Sequence, residues 1–390
     1  MRIIVSGGGT GGHITPLYAV IQELRDDNSR VEILWIGSKS GPERDFAQRH
    51  NIPFEHIATG KFRRYTPNGL DFGGNPASIG QNLVDLFKVP IGIIQAYFRI
   101  ADFMPDVIFS KGGYVSLPVV IAGKLLGIPT IIHESDVIPG LANRIASRFA
   151  ASVLVGFTEA KKYFPIIKEG IHFSGNPVRT EILNANREEA LAVFKLQSAK
   201  PVIFVTGGSS GASRLNQVVM GTIESILEIA QVIHLTGERD WVKIAPHAIR
   251  LERLGYRAYP NLTDNMAGAL AIADLVLTRA GANSLSEFAM LGKPMIIVPL
   301  LSGAGGHQEA NAKVFAKHGA AIVINEEKFD GEILLRQIKE LINNREKKAD
   351  LSKNAKNLAH PNAAAAIAQE ITRLASHRSN AQLKTASHRA

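Results

Sequence analysis

The sequence predicts an α/β fold of two Rossmann-like domains, and three observations support this prediction. Short β-branched runs alternate with stretches of helical periodicity along the chain. A glycine-rich loop follows a strand at residues 7–12, and a second follows another strand at residues 207–211. The 390 residues also exceed the roughly 250–300 at which one hydrophobic core usually stops growing. We therefore expect two parallel sheets covered by helices, facing each other across a cleft.

The strands and helices can be placed in order in each half of the chain. In the first half we expect strands at residues 3–5, 31–36, 107–109, 130–132 and 152–155, with helices at 16–24 and 119–126. In the second half we expect strands at 202–206, 232–235, 275–277, 295–298 and 321–324, with a helix at 215–229. The segment Gly175-Asn176-Pro177 interrupts this alternation and marks the junction. Residues 1–178 and 179–360 are thus the predicted domains, 361–375 a last helix, and 376–390 a disordered tail.

Composition and charge limit the possible partners. Lys and Arg exceed Asp and Glu by 44 − 35 = +9, which suits an anionic ligand or an acidic membrane surface. No basic run is interleaved with stacking aromatics, so we expect no nucleic-acid partner. The chain has no cysteine, which excludes disulfides and a thiolate nucleophile. No segment reaches the ~20 apolar residues of a membrane span, so we expect a soluble or peripheral protein.

The first glycine loop, Gly7-Gly8-Gly9-Thr10-Gly11-Gly12, predicts an anion site where a helix begins. Free backbone amides and the helix dipole bind phosphate there without a lysine. His13 follows directly, and an unperturbed imidazole pKa near 6.5 suits a general base or acid at neutral pH. A structural role at the helix start is the alternative for His13.

Two enzyme classes fit one glycine loop each. The spacing Gly7-x-Gly9-x-x-Gly12 matches a dinucleotide fingerprint, but the second strand is followed by no Asp or Glu to hold a ribose. The spacing Gly207-x-Ser209-x-Gly211 matches the nucleophile elbow of α/β-hydrolases, an interpretation that gives the first loop no role. A phosphate held by Ser209 and backbone amides explains both loops, and we favour it.

A third loop, residues 279–287, follows the strand at 275–277 and opens a helix. Small residues before a helix suit a diphosphate, and Glu287 either accepts both hydroxyls of a ribose or balances the helix dipole. Gln308 could bind a sugar hydroxyl, although a glycine-flanked polar residue is usually only part of a loop. The sequence has no Asp-x-Asp pair and no His-Glu-x-x-His motif, so we expect no metal and no cofactor. Helix N-termini and Arg179 would neutralise a diphosphate instead.

Residues 61–99 have a composition of their own. The basic residues of this segment surround an apolar run, which is Leu83, Val84, Leu86, Phe87, Val89, Ile91, Ile93 and Ile94, with Lys61, Arg63, Arg64, Lys88 and Arg99 around it. Buried core explains this pattern, and so does a basic-rimmed apolar patch on an anionic bilayer.

The motifs taken together resemble the MurG family of peripheral membrane glycosyltransferases. The resemblance rests on the first glycine loop with His13 and on seven further segments that occur in the same order up to about residue 375. These segments are Gly112-Gly113-Tyr114-Val115-Ser116, His133-Glu134, residues 139–144 (Pro-Gly-Leu-Ala-Asn-Arg), residues 175–179 (Gly-Asn-Pro-Val-Arg), Gly207-Gly208-Ser209, Arg279-Ala280-Gly281-Ala282 and Gln308-x-x-Asn311-Ala312.

The resemblance implies a GT-B fold and an inverting transfer of N-acetylglucosamine from UDP-GlcNAc to the C4 hydroxyl of the MurNAc of lipid I, giving lipid II. The N-terminal domain would bind the undecaprenyl-linked acceptor, the last helix would return to it, and the protein would lie on the anionic inner leaflet of the cell membrane, at its cytoplasmic face. His13 would be the catalytic base. Donor-binding residues would be Thr10, Gly11, Gly12, Asp136, Arg179, Ser209, Thr263, Ala282, Asn283, Ser284, Leu285, Ser286, Glu287 and Gln308. Acceptor-binding residues would be Gly8, Gly9, Gly112, Gly113, Tyr114, His133 and Glu134.

Four positions depart from the family pattern. His133-Glu134 is followed by Ser135-Asp136 where the family typically has Gln-Asn, which places a carboxylate near phosphates. Ser213 stands where an arginine is often found, and Gly306 replaces an acidic or amide residue. These departures suggest a divergent member of the family, with room for a different sugar or acceptor. Separate alternatives are another GT-B enzyme, such as a glycolipid transferase or a UDP-sugar epimerase, and a non-catalytic binding scaffold.

Overall fold

The computed structural model describes residues 1–9, 11–27, 30–60, 65–66, 69–70, 76–165, 170–208, 212–262, 265–301 and 304–387. The chain divides into two compact units. Unit 1 consists of Met1–Val178, Ser302–His307 and His360–Ala390, and unit 2 consists of Arg179–Leu301 and Gln308–Ala359.

Unit 1 contains a seven-stranded parallel sheet, and helices connect most of its strands. Its strands are β1 (Arg2–Gly7), β2 (Glu32–Ser38), β3 (Phe54–Ile57), β4 (Tyr65–Thr66), β5 (Gly69–Leu70), β6 (Val107–Gly112), β7 (Thr130–Glu134), β8 (Ser152–Val155) and β9 (Ile171–Phe173). Its first helices are α1 (Gly11–Asp27), α2 (Pro42–Arg49), α3 (Pro76–Phe103), α4 (Leu117–Leu125) and α5 (Leu141–Ala146). The sheet has the order β3-β2-β1-β6-β7-β8-β9, and β4 pairs with β5 in an antiparallel ribbon.

Unit 2 repeats this architecture. Its strands are β10 (Val202–Thr206), β11 (Gln231–Leu235), β12 (Tyr256–Tyr259), β13 (Leu275–Thr278), β14 (Met295–Ile297) and β15 (Ile322–Val323), in the parallel order β12-β11-β10-β13-β14-β15. Its helices are α6 (Arg187–Phe194), α7 (Ser213–Ile229), α8 (Glu238–Leu251), α9 (Met266–Ile272), α10 (Ala282–Met290), α11 (His307–Lys317, whose first residue belongs to unit 1), α12 (Gly331–Asn343) and α13 (Arg345–Asn357).

The strand order places the glycine loops. Strand β1 lies between β2 and β6, so the order reverses on its two sides, and β10 holds the same position in unit 2. Ligands of open α/β sheets bind beyond the carboxyl ends of the strands at such points. The loops that follow β1 and β10 therefore lie where each unit is expected to bind ligand.

All ten predicted strands are present, and each begins within one residue of its expected start. The sequence did not predict the two-residue strands β4 and β5, nor β3, β9 and β12, which lie at the edges of their sheets. An edge strand is only half covered by neighbours and carries polar residues, so it lacks the continuous apolar run of a buried strand.

The last helix, α14, spans Ala363–Ser387 and belongs to unit 1, where it packs against α1. Its side chains Ile367 and Ile371 are fully buried in the unit 1 core. The expectation of a disordered tail after residue 375 is wrong for residues 376–387, which continue the helix. This stretch contains no glycine or proline to end the helix, and its Ala, Gln, Leu and Lys residues are good helix formers.

Candidate active site

The first glycine loop joins β1 to α1. Gly9 has φ +82, and a Cβ there would lie 2.6 Å from the ring of Tyr114, so glycine is required at this position. Gly11 and Gly12 are the first two residues of α1, where helical amides have no partner within the helix. Thr10 lies outside the described residues. Anion binding at this helix start stays a prediction.

A buried carboxylate, Glu43 at the start of α2, holds this loop from behind. Its Oε2 accepts a hydrogen bond from the Gly9 amide at 3.0 Å, and its Oε1 accepts from the amide of Ser38 at 2.9 Å and from the Ser38 hydroxyl at 2.5 Å. A Cβ on Gly8 would lie 2.4 Å from the Glu43 carboxyl carbon. The Gly9 amide is thus already engaged by the protein. Sequence reasoning missed Glu43, because an acid in the first turn of a helix usually only balances the dipole.

His13 lies in the first turn of α1, half-buried, with its ring close to the loop after β6. A Cβ on Gly113 would lie 3.6 Å from Nε2 of His13. Burial, and after it the positive charge of Lys111, lower the pKa of His13 to about 4, against the opposing charges of Asp136 and Glu43. His13 also has a hydrogen bond to the backbone of Lys111. The imidazole is therefore neutral at pH 7 and keeps a lone pair that can accept a proton.

The acceptor residues expected from the sequence lie together at the carboxyl ends of β6 and β7. Gly112 and Gly113 have φ +90 and +83 and lead into Tyr114. His133 is fully buried, and its Nε2 lies 2.9 Å from the carbonyl oxygen of Gly175. Burial lowers the pKa of His133 well below its usual value. Neighbouring strand ends thus bring these residues to one edge of the unit 1 sheet.

Glu134 orders the segment that follows β7. Its carboxylate accepts hydrogen bonds from the amide of Asp136 at 2.9 Å, the amide of Gly140 at 3.1 Å and the side-chain amide of Asn143 at 2.9 Å. Burial raises the pKa of Glu134. Glu134 therefore acts on the shape of this loop, and Asp136 is left half-buried beside it.

In unit 2, Glu287 lies on α10, which begins at Ala282 directly after Gly281. Its Oε1 accepts from Nε of Arg179 at 3.1 Å and from Nη2 at 3.0 Å, so these two predicted donor residues contact each other. Burial raises the pKa of Glu287, and the Arg179 charge opposes this. The pair presents a carboxylate, which can accept hydrogen bonds from ribose hydroxyls, and a cation, which can bind a diphosphate.

The other predicted donor residues differ in how they can contribute. Asn283, Ser284 and Ser286 are half-buried on α10, whereas the side chains of Ala282 and Leu285 are buried. Leu285 packs in the core, so a contact with nucleotide would come from its backbone.

Gln308 joins two loops of unit 2. Its Oε1 accepts from the amides of Ala280 at 3.3 Å and Leu300 at 3.0 Å. Gln308 therefore shapes the loops at the carboxyl ends of β13 and β14. Ser209 and Thr263 lie outside the described residues. Among the residues that are described, no three His, Asp or Glu side chains converge as metal ligands.

Helix α3 carries an exposed apolar face in unit 1. Leu86 is 62% exposed and Phe87 is 71% exposed, and Ile91, Ile94 and Phe98 are also exposed. Of the two interpretations of residues 61–99, buried core is therefore wrong for Leu86, Phe87, Ile91 and Ile94. Lys61, Arg63 and Arg64 lie outside the described residues, as do the side chains of Leu83 and Val84. Among the described helices, none is long and apolar enough to span a membrane.

Comparisons with known proteins agree with this arrangement. Residues 3–155 match the glycosyltransferase family 28 N-terminal domain, and residues 202–371 match the glycosyltransferase family 28 C-terminal domain. A relative from Bacillus cereus, named UDP-N-acetylglucosamine--N-acetylmuramyl-(pentapeptide) pyrophosphoryl-undecaprenol N-acetylglucosamine transferase 2, is 40% identical over 347 residues. This alignment covers 89% of the chain and 93% of the relative.

Solved structures share the fold. The crystal structure of Acinetobacter baumannii MurG has a TM-score of 0.69 and 26% identity, with 95% of this chain and 99% of that chain covered. A UDP-GlcNAc 2-epimerase from Neisseria meningitidis bound to UDP-GlcNAc has a TM-score of 0.66 at 14% identity, covering 96% of this chain and 100% of that chain, a likeness that shows the fold alone. The two Rossmann-like units and these neighbours confirm the GT-B class. The chain belongs to the MurG family of family 28 glycosyltransferases.

Proposed function

We propose that the protein transfers N-acetylglucosamine from UDP-GlcNAc to the C4 hydroxyl of the MurNAc of lipid I, giving lipid II for peptidoglycan synthesis. The observation that carries this proposal is the 40% identity, over 89% of the chain, to a transferase named for this reaction. The neutral His13 at the mouth of a glycine loop supports the same chemistry.

In the proposed reaction, His13 is the general base. The C4 oxygen of the acceptor forms a bond to C1 of the sugar as the bond from C1 to the diphosphate oxygen of UDP breaks. The hydroxyl proton passes to the free ring nitrogen of His13, and UDP leaves with the electron pair. Attack opposite the leaving group inverts the α-linked donor to a β-linked product. A positioned base of this kind contributes roughly 10²–10⁴-fold in rate.

Unit 2 would carry the donor. Glu287 would accept the ribose hydroxyls, and Arg179 beside it would contact the diphosphate together with Ser209. Thr263, the residues at the start of α10 and Gln308 would complete the donor site, and Thr10, Gly11 and Gly12 would approach the donor from the first loop. Donors aimed at the leaving diphosphate stabilise the charge that develops on it, and one such group is worth ~3 kcal/mol.

Unit 1 would carry the acceptor. Gly112, Gly113 and Tyr114 would contact the lipid-linked diphosphate sugar, with His133 and Glu134 ordering the loop behind them. Glycines in left-handed conformations expose backbone amides to which an anion can bind. In this assignment residues 1–178 form the acceptor-binding part and residues 179–360 the donor-binding part.

We further propose that α3 docks the protein on the cytoplasmic face of the cell membrane. Its exposed side chains Leu86, Phe87, Ile91 and Ile94 form an apolar surface, and Lys88 lies on the same helix. A helix that presents apolar residues with basic neighbours lies in the interface of an anionic bilayer. The position suits an enzyme whose acceptor is held in that bilayer.

The proposal is tested by incubating the protein with UDP-GlcNAc and a lipid I analogue. Formation of a lipid II analogue with release of UDP is expected, with the wild-type rate falling by roughly 10²-fold or more in His13→Ala. No transfer by a folded protein across several acceptors would contradict the assignment. A donor-only incubation that gives UDP or a rearranged sugar would indicate an epimerase instead.

A further inference from the structure

Lys111, which the sequence did not single out, is a buried cation at the centre of the acceptor side of unit 1. In the pairing of β1 with β6, Ser6 faces Ser110 and Gly7 faces Gly112, so Lys111 is the extra residue of a β-bulge. Bulges at strand ends redirect a side chain. Lys111 is only 1% exposed, so its ammonium lies inside the protein, beside His133 and Ser135.

The hydrogen bonds of Lys111 fix the protonation of its neighbour. Its Nζ lies 2.6 Å from Nδ1 of His133 and also donates to Oγ of Ser135. An ammonium group has donors only, so Nδ1 of His133 must accept. The ring proton of His133 then lies on Nε2, which donates to the carbonyl oxygen of Gly175 at 2.9 Å. Lys111 and the Gly175 carbonyl thus favour the same tautomer of His133.

Two carboxylates act on Lys111, and they differ in how deeply they are buried. Burial lowers the pKa of Lys111, while the carboxylates of Glu134 and Asp136 act in the opposite direction. Asp136 is the half-buried member of this pair. Three further titratable groups of unit 1 lie nearby. The charges of Lys111 and Glu43 both act on His13, and Nδ1 of His307 is 4.0 Å from Oδ2 of Asp136.

A Cβ on Gly113 would lie 3.6 Å from Nε2 of His13, and the Asp136 charge acts on His13. An anionic acceptor at residues 112–114 would therefore be repelled by the Asp136 carboxylate unless that charge is offset. Lys111 is the buried cation on which Asp136 acts, and it lies directly before these residues in the chain. We propose that Lys111 is a positioning residue for the acceptor diphosphate, whose ammonium offsets the Asp136 carboxylate and holds His133 in one tautomer. This inference rests on the proposed function, because it takes a diphosphate acceptor to bind at residues 112–114.

A double-mutant cycle tests the two parts of this role. Steady-state transfer from UDP-GlcNAc to a soluble lipid I analogue is measured for wild type, Lys111→Met, Asp136→Asn and the double variant. We expect Lys111→Met to raise the acceptor KM about tenfold, since a lost charge interaction of 1.4 kcal/mol is tenfold in affinity. Asp136→Asn alone lowers the acceptor KM. In the double variant the acceptor KM returns to within about threefold of wild type. We expect kcat to be reduced in both variants that lack Lys111, because His133 has lost its hydrogen-bond donor.

A control variant separates an effect on acceptor binding from a general loss of protein stability. Lys293, a partly buried lysine in unit 2 that donates to the carbonyl oxygens of Ala271 and Ala273, provides the matched variant Lys293→Met. It should lower thermal stability without raising the acceptor KM. If Lys111→Met does not fold, the acceptor KM of the double variant is compared with that of Asp136→Asn, because neither variant carries the Asp136 charge. The double variant should have the higher acceptor KM of the two.

The outcomes are distinct. An acceptor KM that is unchanged in Lys111→Met, or raised equally in Lys111→Met and the double variant, overturns the role of Lys111 while the transferase assignment stands. A wild-type protein that transfers nothing to the lipid I analogue overturns the assignment itself.

Discussion

Glu43 gives the sharpest test of how the first glycine loop is built, through the variant Glu43→Gln. The wild-type carboxylate accepts three hydrogen bonds, from the Gly9 amide and from the amide and hydroxyl of Ser38. The glutamine keeps the size of the side chain but replaces one acceptor oxygen with an NH₂ group. In either orientation of the amide, two donors then face each other, at Gly9 or at Ser38.

The cost follows from this count. One hydrogen bond to a charged group is worth roughly 1.5–3 kcal/mol, and a buried donor left without a partner costs roughly 1–3 kcal/mol. We therefore expect Glu43→Gln to lower the free energy of unfolding of unit 1 by about 3 kcal/mol or more. Because the loop carries His13, we also expect kcat to fall.

Chemical denaturation followed by a probe in unit 1, such as the fluorescence of the buried Trp35, measures the change. The matched control is Glu55→Gln, since Glu55 forms a partly exposed ion pair with Arg99 at 3.3 Å. An ion pair of this kind is worth at most about 1 kcal/mol. Equal stability of the two variants would refute the bracing role of Glu43.

Two further predictions concern His13 and α3. Because the pKa of His13 is lowered to about 4 by burial and by Lys111, against the opposing charges of Asp136 and Glu43, the neutral base should be lost only as pH falls through about 4. The initial transfer rate measured against pH should therefore fall, through protonation of His13, only near pH 4. A fall near pH 6.5 that disappears in His13→Ala would contradict this. On α3, Leu86→Glu with Phe87→Glu should weaken binding to anionic vesicles by roughly 10²-fold or more in sedimentation assays. Val242→Glu, at an exposed apolar residue of unit 2 (79% exposed), is the control, and equal binding by both variants would exclude α3 as the docking surface.

The sequence predicted the central strands well because they are buried on both faces. Segments such as Val202-Ile203-Phe204-Val205 are apolar without interruption, which is typical of parallel strands covered by helices. The edge strands β3, β9 and β12 carry polar residues, and the sequence did not predict them. Helix α14 was predicted too short, because polarity after residue 375 suggested a tail while helix propensity continued.

Of the candidate site, the sequence indicated the loops but not their supports. His13 and Glu287 stand out because glycine-rich loops precede them at helix starts. Lys111 follows the strand residues Phe109 and Ser110 and looks like an exposed strand end, since a β-bulge has no signal in a single sequence. Glu43 is buried because Gly8 and Ser38 pack against it, and local sequence patterns carry no signal of such a tertiary contact.

The transfer reaction itself tests the central claim most directly. Wild type and His13→Ala are compared with UDP-GlcNAc and a lipid I analogue, after nucleotide binding has shown that both are folded. We expect a β-linked lipid II analogue from wild type and a rate lower by roughly 10²–10⁴-fold from His13→Ala. Full activity of His13→Ala would remove His13 from the chemistry, and the absence of product from wild type would contradict the proposed function.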